Sequence, residues 1–155
     1  MSRFFIGSAT HKLDAKGRVS LPSDFRDVLE AHGCRDRFVL VPASDGTDCH
    51  IAFTESGHAR LVEHLGSGEE AFESEEEERE TRRRYIWNAK PVAVEDTGRF
   101  VLSQDLRAAL GLADQVRFVG DGQTFQIWEP ARFDALHGAA EGRAKPKKLN
   151  LARIA

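Results

Sequence analysis

Polar and apolar positions form a distinct local pattern near the start of the chain. After a glycine-containing turn at 14–17, polar and apolar residues alternate from Arg18 to Leu21, which predicts a short strand. Apolar residues then recur at the i, i+3 and i+4 spacing of a helix, in Phe25, Val28 and Leu29. A hairpin follows, with predicted strands at 38–41 and 49–53 on either side of Asp45-Gly46.

The same pattern recurs 81 residues later. In the alignment of 13–29 with 94–110, six of the seventeen pairs are identical. The second copy again predicts a strand from Arg99, a helix that begins at Ser103 and ends at Gly111, and a hairpin at 116–128. A unit of about 40 residues without a metal or a disulfide rarely forms a stable core alone. We therefore expect the two units to share one core.

The remaining segments predict helices. Residues 54–88 predict a helix with a break at Gly66-Ser67-Gly68, and charge pairs at i,i+4 spacing support its second part. After Pro130, a short helix leads into a basic tail that we expect to be mobile. The expected organisation is unit 1 at 8–55, a connecting helical segment at 56–88, unit 2 at 89–132, and a C-terminal helix and basic tail at 133–155.

Charge is unevenly distributed along the chain. The 155 residues carry a formal net charge of −3, which taken alone argues against a nucleic-acid binder. Residues 69–80, however, hold eight of the 25 acidic residues and one of the 22 basic ones, so the rest of the chain carries +4. We expect the acidic run Glu73–Glu80 to be a solvated helix face. A contact with Arg82-Arg83-Arg84 of a neighbouring subunit, or competition with DNA, remains the alternative.

Signatures of catalysis, metal binding and membrane insertion are missing from the sequence. It lacks the GxxxxGK[ST], GxGxxG and HExxH motifs, and its six histidines show no i,i+3 or i,i+4 pairing. Cys34 and Cys49 stand outside any CxxC pair, and no apolar run approaches the roughly 20 residues of a membrane-spanning helix. We expect no enzymatic activity, no cofactor, metal or small-molecule substrate, and no membrane contact.

The first glycine-containing turn carries the chemistry of greatest interest. An arginine directly after a tight turn presents a planar guanidinium suited to phosphate oxygens or to guanine O6 and N7. Asp14, four residues before Arg18, can hold that guanidinium or close the turn. On this chemistry alone, DNA contact and a purely structural hairpin pair are equally acceptable. The candidate DNA-binding residues are Asp14, Lys16, Arg18, Lys12 and, ranked lower, Arg99.

Two stretches of the sequence resemble the MraZ family of bacterial proteins. They are Leu13-Asp14-Ala15-Lys16-Gly17-Arg18-Val19-Ser20-Leu21-Pro22-Ser23-Asp24-Phe25-Arg26 and its degenerate second copy from Glu95 to Arg107. The resemblance extends over nearly the whole chain, including Phe125-Gln126-Ile127-Trp128. It implies an α+β, mainly β fold in which two SpoVT-AbrB-type swapped-hairpin units interleave into one β-barrel core with short peripheral helices.

The resemblance also implies a function. It implies a cytoplasmic, nucleoid-associated repressor of the cell-division and cell-wall gene cluster, including its own operon, that forms a ring-like homo-oligomer. The Asp-x-x-x-Arg turn, here Asp14 to Arg18, would contact direct repeats in double-stranded promoter DNA. In the second copy Glu95 replaces the aspartate, which ranks Arg99 below Arg18. The alternative is an antitoxin-like or scaffold protein-interaction module with incidental DNA binding.

Overall fold

The structure, a computed structural model, describes residues 2–43, 49–138 and 141–155. The predicted Asp45-Gly46 turn lies outside these residues. The described strands are β1 Ser8–Lys12, β2 Arg18–Ser20, β3 Arg37–Pro42, β4 His50–Phe53, β5 Lys90–Ala93, β6 Arg99–Val101, β7 Gln115–Gly120 and β8 Thr124–Trp128. The described helices are α1 Ser23–Ala31, α2 Glu55–Ser67, α3 Glu75–Arg82, α4 Gln104–Leu110, α5 Pro130–His137 and α6 Leu151–Ile154, and a π-helical turn spans Arg83–Trp87.

The strands form two antiparallel sheets, and each sheet combines both halves of the chain. The larger has the order β1-β7-β8-β4-β3-β5, and the smaller consists of β2 and β6. The mixed α+β architecture, with six of the eight described strands in one antiparallel sheet and several short helices, agrees with the predicted α+β class. The described strands do not close into the predicted barrel, because the edge strands β1 and β5 of the larger sheet do not pair with each other, and β2 and β6 form a separate sheet. A single bridge joins Val94, directly after β5, to Phe100 in β6.

Aromatic side chains from both halves fill the core. Phe5, Phe25 and Phe38 from the first half pack with Phe118 and Phe125 from the second, with ring centroids 5.0 to 6.5 Å apart. Each fully buried phenylalanine contributes about 1.5–3 kcal/mol relative to an exposed one. Because neither half supplies these contacts alone, the expected sharing of one core is confirmed.

The connecting segment is less regular than its sequence pattern predicts. The helix begins after Thr54, whose hydroxyl accepts the Gly57 N–H, and it ends at Gly68, as the predicted break requires. The π-helical turn that follows α3 was not predicted. Among the charge pairs expected at i,i+4 spacing in this segment, Glu78–Arg82 is present at 3.9 Å, whereas Glu80 pairs with Arg83 at 3.3 Å and not with Arg84.

The C-terminal region contains two short helices. The helix predicted after Pro130 is confirmed as α5, which begins at Pro130 itself, and Phe133 packs its ring 5.4 Å from that of the buried Trp128. The tail, described from residue 141, is exposed and carries the short helix α6, which the sequence pattern did not predict. No helix in the described parts of the chain has the length and apolar character needed to cross a bilayer.

Candidate nucleic-acid interface

A tight turn places Asp14 and Arg18 in direct contact. The Gly17 N–H donates to the Asp14 carbonyl at 3.0 Å, which closes the turn. Asp14 Oδ1 accepts the backbone N–H groups of Lys16 and Arg18 at 3.0 and 2.9 Å. Asp14 Oδ2 accepts the Arg18 Nε–H at 2.7 Å. One carboxylate therefore both closes the turn and fixes the guanidinium.

The same contacts determine the charge state of the pair. The hydrogen bonds from the Arg18 backbone N–H and then from its guanidinium lower the pKa of Asp14 below its ordinary value. The carboxylate is therefore ionised at neutral pH. Arg18 uses Nε for Asp14, and its terminal nitrogens have no partner among the described residues. With 43% of its side chain exposed, Arg18 keeps both terminal NH₂ groups available to a ligand.

Gly17 is required by two features of the turn. Its φ of +85° lies in the left-handed region that favours glycine. A Cβ at this position would also clash with the Leu102 carbonyl oxygen. That carbonyl belongs to the end of β6, so Gly17 allows the first turn to lie directly against the second half of the chain.

The two candidate arginines lie on the same face of the small sheet. In its register Arg18 is opposite Val101 and Ser20 is opposite Arg99, so Arg18 and Arg99 are diagonal neighbours on the exposed face. Val19 and Phe100 point into the core between them. The sheet therefore presents one arginine from each half of the chain side by side.

A shallow groove of about 500 Å³ runs beside this face. Its charged lining combines Lys12, Arg18 and Arg99 with Asp14 and Asp114. Four of the five predicted residues therefore share one groove. Lys16, the fifth, is exposed in the turn beside it, so the region has an excess of positive charge.

The second turn has the same backbone but lacks the carboxylate contact. The Gly98 N–H donates to the Glu95 carbonyl at 2.8 Å, and Gly98 has a φ of +88°. Among the described residues the Glu95 carboxylate makes no contact with Arg99. Unlike Asp14 at the first turn, the Glu95 carboxylate therefore does not fix the guanidinium that follows it.

Two further arginines at this site were not identified from the sequence. Arg26 of α1 and Arg107 of α4 each contact the turn of the opposite half of the chain. The signal was present, because they are one of the six identical pairs in the 81-residue repeat. It was not recognised, since sequence alone does not reveal which turn each helix contacts.

Similarity to known proteins extends along almost the whole chain. A family model described as "MraZ protein, putative antitoxin-like" matches residues 86–152. A Ruegeria pomeroyi protein named "Transcriptional regulator MraZ" is 36% identical over 141 residues, covering 86% of this chain and 82% of the relative. A Methylocella silvestris protein of the same name is 36% identical over 151 residues, covering 95% of this chain and 87% of the relative.

By name these relatives are transcriptional regulators, which are not enzymes. This class of protein agrees with the expectation from the sequence of a regulator without enzymatic activity. The chain belongs to the MraZ family. The resemblance inferred from the two glycine-arginine turns is thereby confirmed.

Proposed function

We propose that this chain is a sequence-specific DNA-binding transcriptional repressor whose first turn, Asp14 to Arg18, contacts the operator. The observation that carries the proposal is the fixed Arg18 guanidinium, held through Nε at 2.7 Å from Asp14 with its terminal nitrogens unpartnered. A guanidinium in this state donates two parallel hydrogen bonds to guanine O6 and N7 or to phosphate oxygens. The relatives' name, transcriptional regulator, supports this assignment.

The neighbouring cations have a supporting role in this proposal. Lys12, Lys16 and Arg99 lie around Arg18 and would contact the phosphate backbone, which orients the turn without selecting a base sequence. Arg99 makes the weaker contribution, because no carboxylate fixes it. The proposed division into units at 8–55 and 89–132, interleaved as swapped hairpins, brings Arg18 and Arg99 to one face. The pairing of β2 with β6 supports that arrangement.

Multiple copies of the turn would supply the affinity. A single turn makes few contacts, whereas a ring-like homo-oligomer presents several turns to direct repeats in one duplex. Linked contacts add through effective concentration, so affinity depends on the number and spacing of the repeats. The proposed targets are promoter repeats of the cell-division and cell-wall gene cluster, including the protein's own operon, in the cytoplasm and nucleoid.

A mobility-shift assay on the upstream repeats tests the proposal. Arg18→Ala should weaken specific binding by about 1–3 kcal/mol per lost bidentate contact. Arg79→Ala removes the same charge from the exposed helix α3, outside the groove, and should bind like the wild type. If Arg18→Ala assembles normally and binds the repeats as tightly as the wild type, the proposal is wrong.

The salt dependence of binding separates the two contact types. Loss of a phosphate contact should flatten the slope of log K against log[salt] by about one unit for each engaged subunit. Weaker binding with an unchanged slope would assign Arg18 to base readout instead. Both outcomes keep Arg18 in the interface, and they differ in what it recognises.

A protein-interaction module is the second candidate function. Leu149, Leu151 and Ile154 in the basic tail are 55%, 69% and 66% exposed, which favours a protein partner for this segment. A promoter reporter distinguishes the two functions. If the chain is an interaction module with incidental DNA binding, reporter expression should be the same with the wild type and with Arg18→Ala, whereas the proposed repressor loses repression in the variant.

A further inference from the structure

We propose that Arg107 is the positioning residue of the DNA-contacting turn, and that Arg26 is its counterpart for the second turn. Each arginine comes from the helix of one half and holds the turn of the other. The functional part of this inference rests on the proposed role of Arg18. The hydrogen bonds of Arg107 and Arg26, from which the inference is argued, do not depend on the role of Arg18.

Arg107 connects the end of β6 to the first turn. Its Nε donates to the Leu102 carbonyl at 3.1 Å, and its Nη1 donates to the Ala15 carbonyl at 3.4 Å. The guanidinium also lies against Gly17, where a Cβ would stand 3.0 Å from Nε. The Leu102 N–H returns a bond to the Gly17 carbonyl at 2.8 Å. Arg107 therefore holds the first turn against the residue that follows β6.

Arg26 makes the equivalent contact in the other direction. Its Nη2 donates to the Asp96 carbonyl at 2.6 Å, and Asp96 corresponds to Ala15 in the 81-residue repeat. A Cβ on Gly98 would stand 2.7 Å from Arg26 Cδ. The Leu21 N–H donates to the Gly98 carbonyl at 2.8 Å, as Leu102 does to Gly17. The two contacts are therefore related by the same repeat as the turns.

The position of this contact explains how Arg107 would affect DNA binding. The Ala15 carbonyl lies between Asp14 and Lys16, so a turn held there keeps the Asp14 carboxylate in place to receive the Arg18 N–H and guanidinium. Without Arg107 the turn samples more conformations. DNA binding must then order the turn, and the entropy lost in that ordering weakens the affinity. Arg107 thus acts through Arg18 and touches no DNA itself.

Hydrogen exchange tests the positioning role in the absence of DNA. Arg107→Met keeps most of the side-chain bulk and removes both donated bonds. We expect amide exchange at Lys16 and Arg18 to become about tenfold faster, since every tenfold corresponds to about 1.4 kcal/mol of lost protection. Arg26→Met, the matched control, should accelerate exchange at Gly98 and leave Lys16 and Arg18 unchanged. Unchanged exchange at Arg18 in Arg107→Met overturns the inference.

DNA binding by the same variants tests the functional consequence. Arg107→Met should weaken operator binding by about tenfold, and Arg26→Met by clearly less, because it affects the lower-ranked turn. Arg107→Lys, which keeps one donor, should recover part of the loss. The double variant Arg18→Ala/Arg107→Met should bind within about twofold of Arg18→Ala alone, because a positioning residue has no effect once its target is gone.

The outcomes separate this inference from the proposed function. If Arg18→Ala loses binding while Arg107→Met binds like the wild type, the positioning role is wrong and the proposed function stands. If Arg107→Met and Arg26→Met lose affinity and melting temperature equally, the arginines are only structural, and the inference is again wrong. If Arg18→Ala binds like the wild type, the proposed function fails, and the exchange experiment alone then decides whether Arg107 orders the turn.

Discussion

Gly17 shows how much a single position depends on its neighbours. It combines a positive φ with a close approach to the Leu102 carbonyl oxygen, whereas Gly7 has a similar φ of +80° and open space around it. Gly7→Ala should therefore cost only the conformational strain, about 1 kcal/mol. Gly17→Ala must also displace β6 from the turn, so its unfolding free energy in urea should fall by at least about 1 kcal/mol more.

The comparison of the two alanine variants isolates the packing contribution. Equal losses of unfolding free energy would show that the turn moves away from β6 at no cost. In that case Gly17 would be required for its backbone conformation alone.

His50 predicts a pH dependence of stability. It lies at the start of β4 with 5% of its surface exposed, and its Nδ1 has no partner among the described residues. Burial, and secondly the Lys90 ammonium, lower the pKa of His50 below its ordinary value. The unfolded chain therefore binds this proton more readily. The free energy of unfolding that depends on the neutral His50 is therefore present in full above the ordinary pKa of about 6.5. It is lost as the pH falls below that value.

The variant His50→Gln removes this titrating group. Its unfolding free energy should fall less steeply than that of the wild type between pH 7 and pH 5, by up to about 1.4 kcal/mol per pH unit. Urea denaturation of both proteins at several pH values measures the difference. Parallel curves would contradict a depressed pKa for His50, whatever the absolute stability of the variant.

Sequence reasoning located only the part of the site whose contacts lie within one hairpin. The four-residue spacing of Asp14 and Arg18 around a glycine turn predicted their possible contact, because that geometry lies within one hairpin. It left open whether they pair structurally or serve a ligand. The position of Arg99 beside Arg18, and the contacts of Arg107, depend on pairing between halves 81 residues apart. No local pattern contains that pairing.

At the scale of elements, the ends of the helices were the easiest features to predict. Ser103 directly precedes α4, and its hydroxyl oxygen accepts the Leu106 N–H at 3.2 Å, as expected for an N-cap. Ser103→Ala should lower the unfolding free energy by about 1 kcal/mol, because that N–H then loses its partner. Ser103→Asn, which keeps an acceptor, should restore most of the loss. Equal stability of the Ala and Asn variants would show that the cap contributes nothing.

The connection between elements was harder to predict. Periodicity identifies β2 and β6 as strands, but it does not specify that they pair with each other in a sheet of their own. The barrel expectation followed from the family resemblance, and the strand pairing of this chain does not complete it. The π-helical turn at Arg83–Trp87 also escaped prediction, since its residues continue the helical pattern of α3.

At the scale of the whole molecule, charge is separated between two regions. Basic residues gather at the groove and in the tail, whereas α3 carries four consecutive glutamates, Glu75–Glu78, in its first turn. A net charge of −3 disfavours binding to arbitrary DNA, because its long-range field repels phosphates at low salt. Under the proposed function, we therefore expect the acidic helix to raise specificity, because the local positive groove still attracts a phosphate within a Debye length of about 8 Å at physiological salt.

Replacement of Glu75–Glu78 by glutamine tests this effect of the acidic helix, since it changes the formal net charge from −3 to +1. Binding to DNA without repeats should strengthen by about threefold to tenfold at 50 mM salt and approach the wild-type value at 200 mM. Arg79→Gln on the same helix removes one positive charge, which makes the formal net charge −4, and should slightly weaken binding to DNA without repeats at 50 mM salt. Circular dichroism checks that α3 remains helical, because acidic residues stabilise a helix N-terminus. If non-specific affinity does not respond to either change, the acidic run has no influence on DNA and only solvates the helix.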